Sequence, residues 1–231
     1  MTQYHRIVRL LTANTGARRL ADVFEDFVEM AALAVRNAVD RVGRARREEQ
    51  YRLTAGRYTR EQLGRFAEAL ALVVETMGED PGDVLGRLYM ELELGNKHIG
   101  QFYTPHDVSR LTAAMSAEAF AAEIAEQGFI RLYEPACGAA SLVIAVTQEL
   151  RQSGFDYQMQ LHVTAEDIAP QAVHMAYINL ALLHVPAVVH RRDTLTQKTF
   201  DTWHTPAHVF GGWTARLRHA ADRRKRSESC H

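Results

Sequence analysis

Cysteine is nearly absent: the chain has two, Cys137 and Cys230, the second one residue from the C-terminal end. A structural disulfide is therefore not expected, and a reducing compartment, the cytoplasm, is. Nor is there an excess of one charge sign, since 27 Lys and Arg face 28 Asp and Glu for a formal net charge of -1. That excludes the chain-wide basic field of a general nucleic-acid binder, so any DNA contact must come from local patches. No run reaches the roughly 18 apolar residues of a spanning helix, and the opening Met1 to Arg6 has no signal-peptide character. No membrane association is expected. Repeats and low-complexity tracts are lacking as well, apart from a charged tail from Asp222 to Ser229. What remains is 231 residues, 47% hydrophobic and 24% charged, enough for one core with a helical appendage.

In the first third, Leu20, Phe24, Phe27, Ala31, Val35 and Val39 recur at helical spacing. A second amphipathic helix is predicted after the capping box Thr59-x-x-Gln62, with Leu63, Phe66, Leu70, Val73, Val74 and Met77 on one face. It should stop near Gly78, before a turn over Glu79 to Gly82. These helices are a small bundle, a lid or a dimer face, or they pack on the main domain; packing is the plainer reading.

From about residue 129 short apolar runs alternate with helical periods, which predicts a parallel sheet built from βαβ units. Strands are expected at Phe129 to Tyr133, Leu161 to Ala165 and Ala187 to His190, with helices over Leu142 to Leu150 and from Pro170 to about Leu183. A fourth strand would run through Phe200-Asp201. The first three runs finish on acidic residues: Glu134, Glu166-Asp167 and Asp193. In an open α/β sheet the carboxyl ends of the strands line the ligand crevice, so the repetition says more than any single carboxylate.

Small residues in Glu134-Pro135-Ala136-Cys137-Gly138-Ala139-Ala140-Ser141 let the backbone approach a ligand and aim helix N-terminal amides at it. A tight strand-to-helix turn would need no more than this. Asp167 is placed to accept both hydroxyls of a ribose, or it caps the following helix; Asp193 is placed to accept from an exocyclic amine, or it is a loop charge beside Arg191 and Arg192. Upstream, Thr104, Pro105 and Asp107 start another capped helix, and Phe102-Tyr103 before it are left unexplained by the cap.

Gly100-Gln101-Phe102-Tyr103-Thr104-Pro105 followed by Glu134-Pro135-Ala136-Cys137-Gly138 resembles the N6-adenine DNA methyltransferases related to type I restriction modification subunits. There a GQFYTP-like stretch precedes a D-P-A-C-G-S-G-G loop. The similarity continues through Asp167-Ile168-Ala169-Pro170, Asn179-Leu180-Ala181-Leu182 and Asp193-Thr194-Leu195. It implies a Rossmann-like class I methyltransferase α/β sheet, incomplete at its C-terminal side, behind an N-terminal α-helical region. By resemblance, S-adenosylmethionine would be held by Phe102, Tyr103, Thr104, Glu134, Ala136, Gly138, Asp167, Ile168, Asp193 and Thr194. Glu134 replaces the family's aspartate, and Ala139, Ala140 and Ser141 replace its serine and two glycines.

Methylating an exocyclic amine also needs an acceptor for the NH2 and an aromatic platform for the extruded base. The family supplies both in an N-P-P-F or N-P-P-Y segment after the fourth strand. That segment is missing, and Thr205-Pro206-Ala207-His208 is assigned its place, making Thr205, Pro206 and His208 the candidate catalytic residues. His204 and His208 stand four apart, but Pro206 lies between them and no acidic residue does, so no metal site is expected. Trp213 is expected to be a packed aromatic.

The expected layout is a helical region over 1–83, a cofactor domain over 84–215 and a tail over 216–231. The tail holds Arg216, Arg218, Arg223, Arg224, Lys225 and Arg226, which are disordered and solvated or in contact with phosphates. Too few residues follow for further strands and a target-recognition region. The resulting expectation is a DNA adenine-N6 methyltransferase with DNA and a separate specificity subunit as partners, and self-association through the sheet edge. The alternative is a SAM-binding module without transfer activity, in a regulatory or anti-restriction role.

Overall fold

A computed structural model describes residues 2–92 and 117–228. Five helices come first: α1 (Gln3–Thr12), α2 (Leu20–Val39), α3 (Arg44–Ala55), α4 (Arg60–Glu79) and α5 (Val84–Glu91). The predicted capping box is formed at α4, where Gln62 donates its amide to Thr59 Oγ1 and its side chain accepts from the Thr59 amide. Phe66, Val73 and Met77 are buried as their spacing predicts, whereas Val74, one position round the helix, is 45% exposed. Phe24, Phe27, Phe66 and Tyr58 stack edge to face or tilted within this helical layer.

The second half runs α6 (Ala117–Gln127), β1 (Ile130–Glu134), α7 (Ser141–Gln152), α8 (Tyr157–Gln160), β2 (Leu161–Asp167), α9 (Pro170–Leu182), β3 (Ala187–Asp193), β4 (Lys198–His204), α10 (Pro206–Phe210) and α11 (Trp213–Glu228). The strand order is β1-β2-β3-β4. The first three strands are parallel, as βαβ units require, and this is the expected open α/β sheet. β4 instead folds back antiparallel on β3, pairing Asp193 with Lys198 and Val188 with His204. Only Thr194 to Gln197 separate the two strands; a parallel crossover needs about a dozen residues, so only a hairpin fits.

One apolar core runs without a break from the helices into the sheet. α2 packs on α9, which covers β2 and β3, so the N-terminal helices adopt the plainer of the expected arrangements. Trp203 of β4 joins the two layers, with His174 and Tyr177 of α9 against it and the Arg36 guanidinium 4.4 Å from its ring centroid. Where a disordered tail was expected from residue 216, α11 continues to Glu228. It is anchored by the fully buried Trp213, which packs on Phe129 and His162. No described helix is long and apolar enough to cross a membrane.

Candidate cofactor site at the carboxyl edge of the sheet

The parallel register carries β2 and β3 progressively past β1, pairing Glu134 with Ala165 and Asp167 with Arg191. Glu134, Asp167 and Asp193 therefore line one edge, each where a strand enters a loop. The loop after β1 is fixed to β2 by two bonds: the Cys137 amide donates to Glu166 O at 2.8 Å and the Gly138 amide to Asp167 Oδ2 at 3.0 Å. The other Asp167 oxygen accepts the Ala169 amide at 2.9 Å, which sets the entry into α9. Glu134 accepts the amide of Ala136, and Thr194 donates to Pro135 O at 2.9 Å, tying the β3 loop to the β1 loop. Ile168 stands 57% exposed beside Asp167. Glu134, Ala136, Gly138, Asp167, Ile168, Asp193 and Thr194 thus share this edge of the sheet.

Phe102, Tyr103 and Thr104 lie outside the described residues.

Asp193 serves its own turn. Oδ1 accepts the amides of Leu195 and Thr196, and the hydrogen bonds with Thr196 hold its carboxyl below the usual range. Burial, with Asp167 and Glu134 nearby, pushes the Cys137 thiol well up, so it stays protonated and unreactive.

Two carboxylates to which the sequence assigned no role of their own, Glu166 and Asp83, organise the site from beneath. Glu166, 1% exposed, takes Arg192 at 2.9 Å, the Tyr133 hydroxyl at 3.0 Å and the Thr194 hydroxyl at 3.3 Å, so one buried anion links all three strand ends. Asp83 caps α5 through the Gly86 amide, accepts from Asn179 Nδ2 at 2.8 Å and bonds the Ser141 hydroxyl. Asn179 donates also to Ala139 O at 2.9 Å, so Asp83 pins the turn between β1 and α7 from below. Ala140 sits in that turn at φ 71°, a left-handed conformation in which a side chain costs about 1–2 kcal/mol.

Thr205, Pro206 and His208 require a correction. Because β4 is antiparallel, its end reaches the amino end of β3: the Thr205 amide donates to Ala187 O, and its hydroxyl donates to Val185 O at 2.8 Å. The segment lies at the opposite end of the strands from Asp167 and Asp193. Thr205 is fully buried and caps α10, with Pro206 as the first helical residue. His208 is buried against His162, Nδ1 to Nε2 at 2.9 Å, and bonds Thr214 through Nε2. Thr205 and His208, buried and engaged in these bonds, are therefore not free to act as adenine acceptor and stacking platform.

The donor set at the carboxyl edge fits a nucleoside carrying an amino acid. A carboxylate offers about four lone-pair sites. Asp167 uses two on backbone amides, which leaves acceptors for a vicinal diol. α7, 12 residues long, has Ala140 at its N-cap and no side-chain cap, so its first amides face the turn without a capping side chain.

Residues 82–210 match the N-6 DNA methylase family profile, more than half of the chain. The chain belongs to that family. Among solved structures, it is 15% identical to a Listeria monocytogenes chain assigned to the class I S-adenosylmethionine-dependent methyltransferases, over 86% of this chain and 56% of that one, with a TM-score of 0.47. A type I restriction-modification methyltransferase subunit from Streptococcus thermophilus is 23% identical over 77% of this chain and 40% of its own, TM-score 0.44. A modification subunit assigned to a Vibrio vulnificus type I restriction enzyme is 18% identical over 65% and 32%, TM-score 0.38. The chain spans little more than half the length of the first and less of the others. No curated protein matches it.

Proposed function

We propose that this chain is an S-adenosylmethionine-dependent DNA adenine-N6 methyltransferase acting with a separate recognition partner. The observation that carries the reading is Asp167, which holds the Gly138 turn and the start of α9 together and keeps acceptor sites for a ribose. Bound S-adenosylmethionine would supply an activated methyl group. The residues of this chain do the holding: Gly138 and the first amides of α7 take the methionine carboxylate, Asp167 the ribose, and Asp193 with Ile168 the adenine. Phe102, Tyr103 and Thr104 complete the pocket by resemblance. The setting is the cytoplasm.

A second reading has a specific observation in its favour. With Thr205 to His208 committed to the far end of the sheet, the described carboxyl edge has no asparagine and aromatic pair for a flipped base. The chain would then be a cofactor-binding module without transfer activity, regulatory or anti-restriction in role, or would draw the missing groups from a partner. Incubation with methyl-tritiated S-adenosylmethionine and adenine-rich duplex separates the two. Tritium in the DNA supports the first; cofactor binding with no transfer supports the second. β1 has a hydrogen-bonded neighbour on one side only among the described strands, and a second copy would pair there; light scattering that finds only monomer at micromolar concentration would dismiss that arrangement.

A further inference from the structure

The face of the sheet under α2 and α3 holds a second pocket, of about 540 Å³, within the range of ligand sites. Its walls come from α2, α3 and the turn before it, the start of α9 and the β3–β4 hairpin, among them Arg46, Arg191 and Phe200; the two carboxylates in the wall, Glu29 and Asp201, are held by Gln50 and Thr54 and by Arg36. The apolar core does not require its chemistry. The Arg191 guanidinium has no hydrogen bond or ion pair among the described residues, and its Nε is buried without an acceptor. Its cross-strand neighbour Asp201 would be the natural counter-ion, but Asp201 is taken by Arg36 at 3.3 Å. A buried donor left unmet costs about 1–3 kcal/mol, so a missing acceptor is what such a group marks. Arg46, exposed on α3, likewise has no partner among the described residues and lines the same pocket.

Phe200 is the second built feature. Between Arg191 paired with Asp201 and Arg192 paired with Thr199 the register skips it, so it is the extra residue of a β-bulge. Bulges re-aim side chains and collect beside functional sites. This one leaves a phenyl ring 46% exposed, with Arg191 and Lys198 each 5.1 Å from its centroid. Two guanidinium groups without a bonded anion and a half-exposed ring beside two cations make an acceptor-seeking site with an open aromatic surface. It adjoins the cofactor edge, since Arg191 pairs with Asp167 and Pro170 lies in the wall.

We infer that this pocket seats a backbone phosphate of DNA, with Arg46 and Arg191 forking the phosphate oxygens and Phe200 against the adjoining sugar or base. The inference rests on the proposed DNA substrate; planar guanidinium forks suit phosphate, and phosphate contacts set register on a duplex. The full chain would be titrated into fluorescein-labelled duplex by anisotropy between about 50 and 200 mM KCl. The same would be done for Arg46→Glu, for Arg46→Ala with Arg191→Ala, and for Phe200→Leu. Loss of one phosphate contact makes the slope of log K against log salt shallower by about 0.9, and both arginine variants are expected to show this. Arg46→Glu, at an exposed helical position, keeps the test valid should the double variant fail to fold. Unchanged slope and affinity in Arg46→Glu would overturn the proposal, as would a wild-type chain that does not bind duplex. Saturation by inorganic phosphate or pyrophosphate with no competition against duplex would also overturn it, marking a small-anion site instead. Cofactor titration of the same variants keeps the two readings apart: arginine-dependent DNA binding without cofactor heat would remove the methyltransferase reading and leave the phosphate site standing.

Discussion

Acidification should destabilise this protein through its buried histidines: burial lowers His174, His190 and His204 as well, and His162 and His208 form a bonded pair whose share can be isolated. His162 and His208, each 3% exposed, are bonded to each other between β2 and α10. Burial, reinforced by the neighbouring histidines, pulls His162 down to about 3 and His208 down to about 4. Both are neutral in the folded protein at pH 5, whereas in the unfolded chain they titrate near 6.5. Below that pH the unfolded state binds the extra protons, so the stability these groups contribute is complete above about 6.5 and is lost as pH falls toward the folded values. Each costs about 1.4 kcal/mol per pH unit, so the pair removes on the order of 4 kcal/mol between pH 6.5 and 5. Carboxylates contribute little in that window, since they titrate lower. Urea unfolding at pH 7 and pH 5, followed by far-ultraviolet circular dichroism, reads the loss. His208→Gln, which keeps a hydrogen-bonding group, should lose roughly 2 kcal/mol less than wild type between the two pH values. Equal losses in wild type and His208→Gln would refute the assignment of the acid sensitivity to this pair.

Gly86→Ala should destabilise, although alanine ordinarily favours a helix over glycine by about 1 kcal/mol. Its methyl would collide with the Asp83 carboxylate, and thermal unfolding should show a lower midpoint. Asp83→Ala should cost about 2–4 kcal/mol, since the Gly86 amide, the Asn179 amide group and the Ser141 hydroxyl all lose their acceptor. A change below about 0.5 kcal/mol in denaturant titration would contradict that role. Trp213→Ala should cost about 3–5 kcal/mol and release α11, seen as increased protease cleavage after residue 212, because the ring is fully buried under Phe129 and His162.

The sequence made the first three strands legible because each is a short β-rich run ending on a carboxylate, and it located the α4 cap to the residue. α3 escaped because its sequence, Arg-Ala-Arg-Arg-Glu-Glu-Gln-Tyr-Arg-Leu-Thr-Ala, carries almost no apolar stripe; what it buries is the Arg47 guanidinium on Asn37 and the Val42 carbonyl. Direction was the signal missed at β4. Four residues between Asp193 and Lys198 rule out a crossover, and counting them would have sent Thr205 to His208 to the far end of the sheet. The organising roles of Glu166 and Asp83 were hidden for a different reason: apart from the local cap on Gly86, their partners stand 26 to 33 and 58 to 96 residues away, where no local pattern reaches.

In the proposed site a nucleoside-shaped cofactor meets the Asp167 carboxylate at the end of β2. Calorimetric titration of S-adenosylmethionine into the wild-type chain and into Asp167→Ala, with folding of both checked by circular dichroism, tests it most directly. The wild type should release binding heat at a single site, and the folded variant should bind at least about tenfold more weakly, as expected for loss of a charge-assisted diol contact. Equal affinity in the two, or no heat from the wild type, would contradict it.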